Sequence, residues 1–210
     1  FTAVADDANV ITWNPAGLPG LRRTEFTSTY ANLYDMGISQ SYLGFVRPFS
    51  DKLALGLDWS SIGYSDGELA YSENKLNLAT GYQPHKVVSL GFTIKYLMRD
   101  MLLDDFSYGK STGLGYDAGL LIQPLKNLKI GLGLYDLGGT SVSYKNKTTE
   151  TILRQAFKLG ISYMPINGLT LAADYGDRAH FGAEYILASR VSFRAGMQQG
   201  MDGEEKILVP

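Results

Sequence analysis

The sequence predicts an all-β fold: a transmembrane, antiparallel, up-and-down β-barrel preceded by a short N-terminal segment that lacks the strand pattern. Three observations predict it. Apolar residues alternate with small or charged ones from about Arg23 onward. The connections between the alternating segments are by turns short and long. No stretch approaches the ~20 consecutive apolar residues that a membrane-spanning helix needs.

The first residues stand apart: residues 1–22 read either as a capping segment or as a plug inside a barrel over residues 23–210. Phe1 to Leu21 reads FTAVADDANVITWNPAGLPGL and lacks the strand period. Ala5 to Thr12 is expected to be a short helix, with Asp6 and Asp7 near its N-terminus, where the helix dipole favours acids. Asn14-Pro15 ends it, because the residue before proline is pushed out of the helical region. Gly17, Pro19 and Gly20 then turn the chain into the first strand.

Eleven strands follow, over roughly 23–33, 39–47, 52–62, 72–83, 86–99, 113–123, 127–136, 154–164, 168–176, 179–187 and 190–198. Leu53, Leu55, Leu57 and Trp59 fall on one face; Ala54, Gly56, Asp58 and Ser60 fall on the other. Leu90, Phe92, Ile94 and Tyr96 oppose Ser89, Gly91, Thr93 and Lys95. Strand side chains point alternately to opposite faces, so each segment has one apolar and one polar side. The first two spans alternate weakly. Ile207-Leu208-Val209-Pro210 reads as the start of another strand, and both chain ends read as cut.

Short connections are expected at 48–51, 84–85, 124–126, 165–168 and 188–189. Longer ones are expected at 34–37, 63–71, 100–112, 138–151 and 176–178. Four of the five short turns carry a proline, which cannot donate to a strand ladder. Tight turns on one rim and longer loops on the other are the pattern of outer-membrane barrels.

Alternation by itself does not say which face is inside, since a soluble antiparallel sheet also alternates. Three features favour a membrane wall. Several strands reach the ~9–11 residues that cross a bilayer at a tilt. Aromatics sit near the ends of the apolar face, at Trp59, Tyr82, Tyr96, Tyr163 and Tyr175. The other face mixes Gly, Ala and Ser with charges, so Lys95, Arg99, Asp117, Lys129, Lys158, Asp174, Glu184 and Arg194 are expected to face a crowded lumen and pair there.

Composition narrows the function. A net charge of -2 with 19% charged residues lacks the basic excess of a nucleic-acid binder. With no cysteine there is no disulfide, thiolate metal site or thiol nucleophile. His85 lies in a Pro-His-Lys turn, and His180 starts a strand on the polar face. No serine stands in a nucleophile context beside them, so no enzyme, catalytic residue, metal site or cofactor is expected. Met101, Leu102, Leu103 and Phe106 fall in an expected loop, where they read either as local packing over the barrel mouth or as a landing site for a hydrophobic ligand.

The run Ala5-Asp6-Asp7-Ala8-Asn9 followed by Trp13-Asn14-Pro15-Ala16-Gly17-Leu18 resembles the hatch signature of the PorV/PorQ family, which is related to the FadL-type transporters. Leu128 to Gly138 also looks like that family, and the rest matches in architecture alone. The resemblance implies a 14-stranded parent barrel in the bacterial outer membrane, of which about eleven strands are present here, with a hatch in the lumen. Asp6, Asp7, Asn14, Pro15 and Gly17 are the hatch residues it points to, as structural elements of the plug. It implies membrane lipid around the barrel and uptake of a hydrophobic small molecule, past the hatch or through a lateral opening. The alternative it carries is a component of type IX secretion, with secretion-system proteins or secreted cargo as partners.

Overall fold

In a computed structural model, residues 2–33, 37–65, 69–103, 106–144, 149–187, 191–200 and 206–209 are described, with the backbone alone at 103, 106–109, 144, 150 and 206–209. One antiparallel sheet holds β1 (Glu25–Leu33), β2 (Ile38–Pro48), β3 (Leu53–Ser65), β4 (Leu69–His85), β5 (Val88–Leu103), β6 (Phe106–Leu125), β7 (Leu128–Tyr135), β8 (Thr140–Tyr144), β9 (Thr149–Leu153), β10 (Ala156–Ile166), β11 (Leu169–Tyr175), β12 (Arg178–Leu187), β13 (Val191–Gly200) and β14 (Lys206–Val209). Neighbours along the chain pair in order from β1 to β7 and from β10 to β14, with β10 beside β7. Among the described residues β1 and β14 do not pair with each other, so the sheet is an open wall. Ahead of it, α1 (Val10–Trp13) and a 3-10 segment (Pro15–Gly20) lie against one face, called here the inner face.

Register turns the period-2 sequences into rows across the wall. Asp58 faces Asn77, which faces Lys95, and all three are buried on the inner side. One residue along, Leu57 faces Leu78, which faces Ile94; these apolar side chains are the exposed ones, at 46%, 53% and 40%. Lys95 itself is 7% exposed. A protein in water buries leucine and exposes lysine, so this distribution is inverted, as in a wall whose outer face meets hydrocarbon.

The apolar band has edges. Leu53, Tyr82 and Leu90 align at its lower limit; Leu43, Trp59, Leu76, Tyr96 and Leu114 align at its upper limit. Leu53 to Trp59 covers roughly 20 Å at ~3.3 Å per residue, close to the ~25 Å of an outer-membrane apolar band. Tyrosine and tryptophan mark both limits, as expected for interfacial rings. Beyond the upper row β3 to β6 continue for several residues, so these hairpins project past the band.

All eleven expected strands are present. The difference is in what joins them. The expected loop at 100–112 is strand almost throughout, because β5 runs to Leu103 and β6 starts at Phe106. The expected loop at 138–151 contains β8 and β9. Outside the apolar band both faces of a strand are wet, so pairing continues without the alternation that marks it in sequence. Four of the five short turns fall within a residue or two of expectation, and the one expected at 188–189 lies outside the described residues. The ladder shifts register beside Pro84, Pro124 and Pro165, between Tyr82 and His85, Ile122 and Leu125, and Tyr163 and Ile166. Each proline occupies a bulge where no ladder donor is required.

The inverted faces predict that Ile94→Arg, placed mid-band on the outer face, lowers unfolding free energy in a bilayer by about 2–4 kcal/mol. Arginine at Ser65, beyond the band, is expected to cost little. Urea titration in lipid vesicles, read as the fraction migrating in the compact unheated form on a gel, distinguishes the two.

Candidate functional site

The N-terminal segment is built to lie on backbone. Its helix is shorter than expected and begins at Val10 rather than Ala5. Ala5 has a positive φ of 44°, and the Asp7 side chain accepts from the Asn9 backbone N–H at 2.9 Å and from Asn9 Nδ2 at 3.1 Å. That local turn competes with helix until Val10, whose N–H donates to the Asp7 carbonyl. Asp6 precedes the helix and reaches solvent; partial desolvation, with the adjacent Asp7 charge adding to it, pushes its carboxyl above the ordinary range. Asn14 is fully buried and extended. Its Oδ1 accepts from Ala16 N–H at 3.1 Å, and its Nδ2 donates to the carbonyls of Thr2 at 2.7 Å and Leu120 at 3.3 Å. Pro15 starts the 3-10 segment that replaces the expected turn at Gly17 to Gly20. A Cβ at Gly17 would come within 2.5 Å of both Ala5 and Val10, so this glycine lets the segment fold on itself.

The wall meets this segment with a row of glycines. Gly81, Gly91, Gly119 and Gly133 stand directly opposite one another across β4 to β7. A Cβ on Gly91 would collide with the Ala16 nitrogen and lie 2.7 Å from the Pro15 carbonyl oxygen; one on Gly119 would collide with Asn14 Oδ1. Backbone therefore packs on backbone, with Ile11 and Leu18 fully buried beside the row. Side chains tether the two bodies. Thr12 Oγ1 and Asn77 Nδ2 donate to the two Asp58 oxygens at 3.1 and 2.8 Å. The Thr2 N–H donates to Asp174 at 3.1 Å, Lys129 to the Val4 carbonyl at 3.3 Å, and the Tyr135 hydroxyl to the Trp13 carbonyl.

The other expected inner-face charges are mostly paired. Lys95 Nζ lies 2.7 Å from Asp117 and 2.5 Å from Asp136, and Thr140 Oγ1 donates to Asp136 at 2.6 Å. This buried group fills the break between β7 and β8, where β6 exchanges one ladder partner for the next. Arg99 pairs with Glu73 at 2.6 Å, and Tyr71 donates to the same oxygen at 2.8 Å. Arg194 pairs with Glu184 at 2.8 Å but remains largely exposed. Lys158 lies over the Trp13 and Tyr135 rings instead. Asp174 stands opposite His180; among the described residues no group of three metal-ligating side chains comes together.

Above the Arg99–Glu73 pair the inner face becomes apolar. Ile38 faces Tyr64, Tyr64 faces Tyr71, and Tyr71 faces Met101. Met101 and Leu102 are strand residues on opposite faces, not neighbours in a loop, so these two do not share a patch. The side chains of Leu103 and Phe106 lie outside the described residues. A cavity of about 400 Å³ sits at the opposite rim, lined by Leu21 to Thr24 and Pro48 to Asp51. Arg22, Arg23 and Asp51 make it too polar for a hydrocarbon.

Sequence reasoning missed Asp136, Thr12, Asn77, Glu73 and the glycine row. The glycines carried a signal, since each occupies the polar position of an alternating strand near a short turn. Thr12, Asn77, Glu73 and Asp136 could not be paired without knowing the register.

Solved structures that share this architecture include a FadL homologue and two monoaromatic hydrocarbon channels. The fold is that of the FadL-type channels. A FadL homologue from Pseudomonas aeruginosa matches with TM-score 0.65 at 10% identity, over 92% of this chain and 75% of its own. The CymD monoaromatic hydrocarbon channel matches with TM-score 0.67 at 14% identity, over 100% of this chain and 81% of its own. A deletion mutant of the TodX monoaromatic hydrocarbon channel matches with TM-score 0.64 at 12% identity, over 96% and 81%. No protein-family profile matches, and no curated protein matches by sequence.

Backbone packing at the glycine row predicts that Gly91→Ala destabilises by about 1–3 kcal/mol through overpacking. Gly182→Ala has open space, its nearest neighbour being the Ala195 carbonyl at 3.9 Å, and is expected to change stability far less. Removing the cation in Lys95→Met leaves two buried carboxylates together, at a cost of about 3–5 kcal/mol. Denaturant midpoints of the three variants check both statements.

Proposed function

We propose that this chain is the wall and plug of an outer-membrane channel for hydrophobic small molecules, and that it is not an enzyme. The observation that carries this reading is the amphiphilic path on the inner face. An apolar row, Ile38, Tyr64, Tyr71 and Met101, lies beyond the membrane band, and the N-terminal segment packed on the glycines of the wall lies beneath it. A hydrophobic solute leaves water at the row, where rings and a thioether replace its hydration shell. Two of the structural neighbours are monoaromatic hydrocarbon channels, in keeping with that chemistry.

In this reading residues 1–22 are the plug, with Asp7, Asn14, Pro15 and Gly17 shaping it and Asp6 at its surface. The paired inner charges hold the wall in shape without offering a free charge to a passing hydrocarbon. Met101 serves as a landing residue in this reading, and Leu102 points to the other face. The PorV/PorQ resemblance rests on the hatch motif, and no further observation favours a part in secretion.

Uptake of toluene into cells or vesicles carrying the protein tests the proposal. Met101→Asp is expected to reduce the rate roughly ten-fold or more by placing a charge in the apolar row, while Leu102→Asp on the opposite face leaves it near the parent rate. Equal uptake by parent-loaded and empty vesicles would sink the proposal.

A further inference from the structure

The outer face carries one charge inside its apolar band. Across β2 to β7, between the lower and upper limits of that band, Arg47 is the one charged side chain on this face among the described residues. It stands opposite Leu55, one row inside the lower limit, with Phe45 above it and Phe49 below. Its guanidinium lies over the Phe49 ring, 5.3 Å from the centroid, within reach of a cation–π attraction. The Phe49 N–H donates to the Leu53 carbonyl, which puts that ring at the lower limit. The stack therefore leads the charge out of the band and toward the rim, as a snorkelling arginine does. Asp100 and Lys110 share the outer face but lie above the upper row, 3.7 Å from each other.

The rim below Arg47 is basic. Arg22, Arg23 and Phe49 line the cavity of about 400 Å³ at this corner, so one ring borders both the cavity and the lipid-facing arginine. Asp51 and Glu25 stand 3.7 Å from Arg22 and Arg23, longer than the ~2.7–2.9 Å of a charge-assisted hydrogen bond. Both arginines are exposed, and such loose pairs hold little. Their guanidinium groups keep donors in the planar fork that matches phosphate. Above the corner, Phe26 faces Phe45 on the outer wall, and both are exposed. The short turns put this rim in the periplasmic leaflet. Cations at the rim and an apolar strip rising from them suit a ligand with an anionic head and acyl chains.

We propose that Arg47, Arg22 and Arg23 form a site for an anionic phospholipid of the periplasmic leaflet. Its phosphodiester lies between Arg47 and the cavity, and its acyl chains lie on Phe45 and Phe26. The bound lipid neutralises the one charge that the wall turns toward the membrane. The proposal rests on the outer face meeting lipid and is independent of the uptake reading.

Native mass spectrometry of the full chain in detergent, titrated with dioleoylphosphatidylglycerol or dioleoylphosphatidylcholine, tests the site. The two lipids share acyl chains and a phosphodiester and differ in net charge. One phosphatidylglycerol is expected to be retained at concentrations about ten-fold or more below phosphatidylcholine. Arg47→Gln, and separately the pair Arg22→Gln with Arg23→Gln, should remove most of that preference. Lys126→Gln, at another short turn of the same rim, should leave it intact. No preference in the parent, a preference that survives Arg47→Gln, or an equal loss with Lys126→Gln overturns the proposal. Displacement of the lipid by an equal concentration of glycerol 3-phosphate also overturns it, since the site would then take phosphate from solution. Compact migration on an unheated gel verifies that each variant is folded. If Arg47→Gln does not fold, Phe49→Leu, which removes the ring that orients the guanidinium, is expected to weaken the preference and decides it. Equal binding of both lipids rejects this site alone; binding of neither rejects the lipid-facing wall with it.

Discussion

Hydrocarbon supplies no hydrogen-bond partner, and that constraint organises the molecule. Within the apolar band neighbouring strands satisfy one another's backbone N–H and C=O groups, which commits the chain to a continuous antiparallel ladder. Once the ladder exists, alternation divides the side chains, and the solvent on each side decides which set goes where. Leucines, phenylalanines and tyrosines cover the outer face. Small and charged residues are left for the inner face, where they need partners from within the protein.

Those partners come from two sources. Some charges find one another across the wall, as in Lys95 with Asp117 and Asp136, or Arg99 with Glu73. The rest of the inner surface is met by the N-terminal segment. Glycines bring the two backbones together, and Asp58, Asp174 and Asn14 secure the contact. The segment thus contributes the core that a one-layer wall lacks. Its buried Ile11 and Leu18 are the nearest equivalent here to the interior of a globular protein.

The wall was readable in the sequence because lipid imposes the same alternation on every strand that crosses it. Leu53 to Trp59 and Val88 to Met98 could hardly be anything else. Legibility stopped where lipid stops. Met101 and Leu102 looked like loop because strand pairing outside the band leaves no alternation to read. β8 and β9, five residues each and largely polar, were hidden for the same reason. Contacts between segment and wall were unreadable for another cause: Thr2 and Asp174 are 172 positions apart, and periodicity says nothing of such pairs. The local turn at Asp7 was misread because a side-chain bond to Asn9 outcompeted the helical tendency of Ala5 to Thr12.

The glycine row bears on how the chain reaches this state. Glycine loses more conformational freedom than any other residue when it is ordered and brings no side chain to hold a strand in register. Gly81, Gly91, Gly119 and Gly133 put that weakness at the same height in four adjacent strands. At Gly81, Gly91 and Gly119 the compensating contacts belong to residues 14–19, which are made before these strands yet have no surface to settle on until β4 to β6 are laid side by side. Acquiring the native state is therefore a joint event of high contact order, in which a segment made before these strands waits for them and then stiffens them.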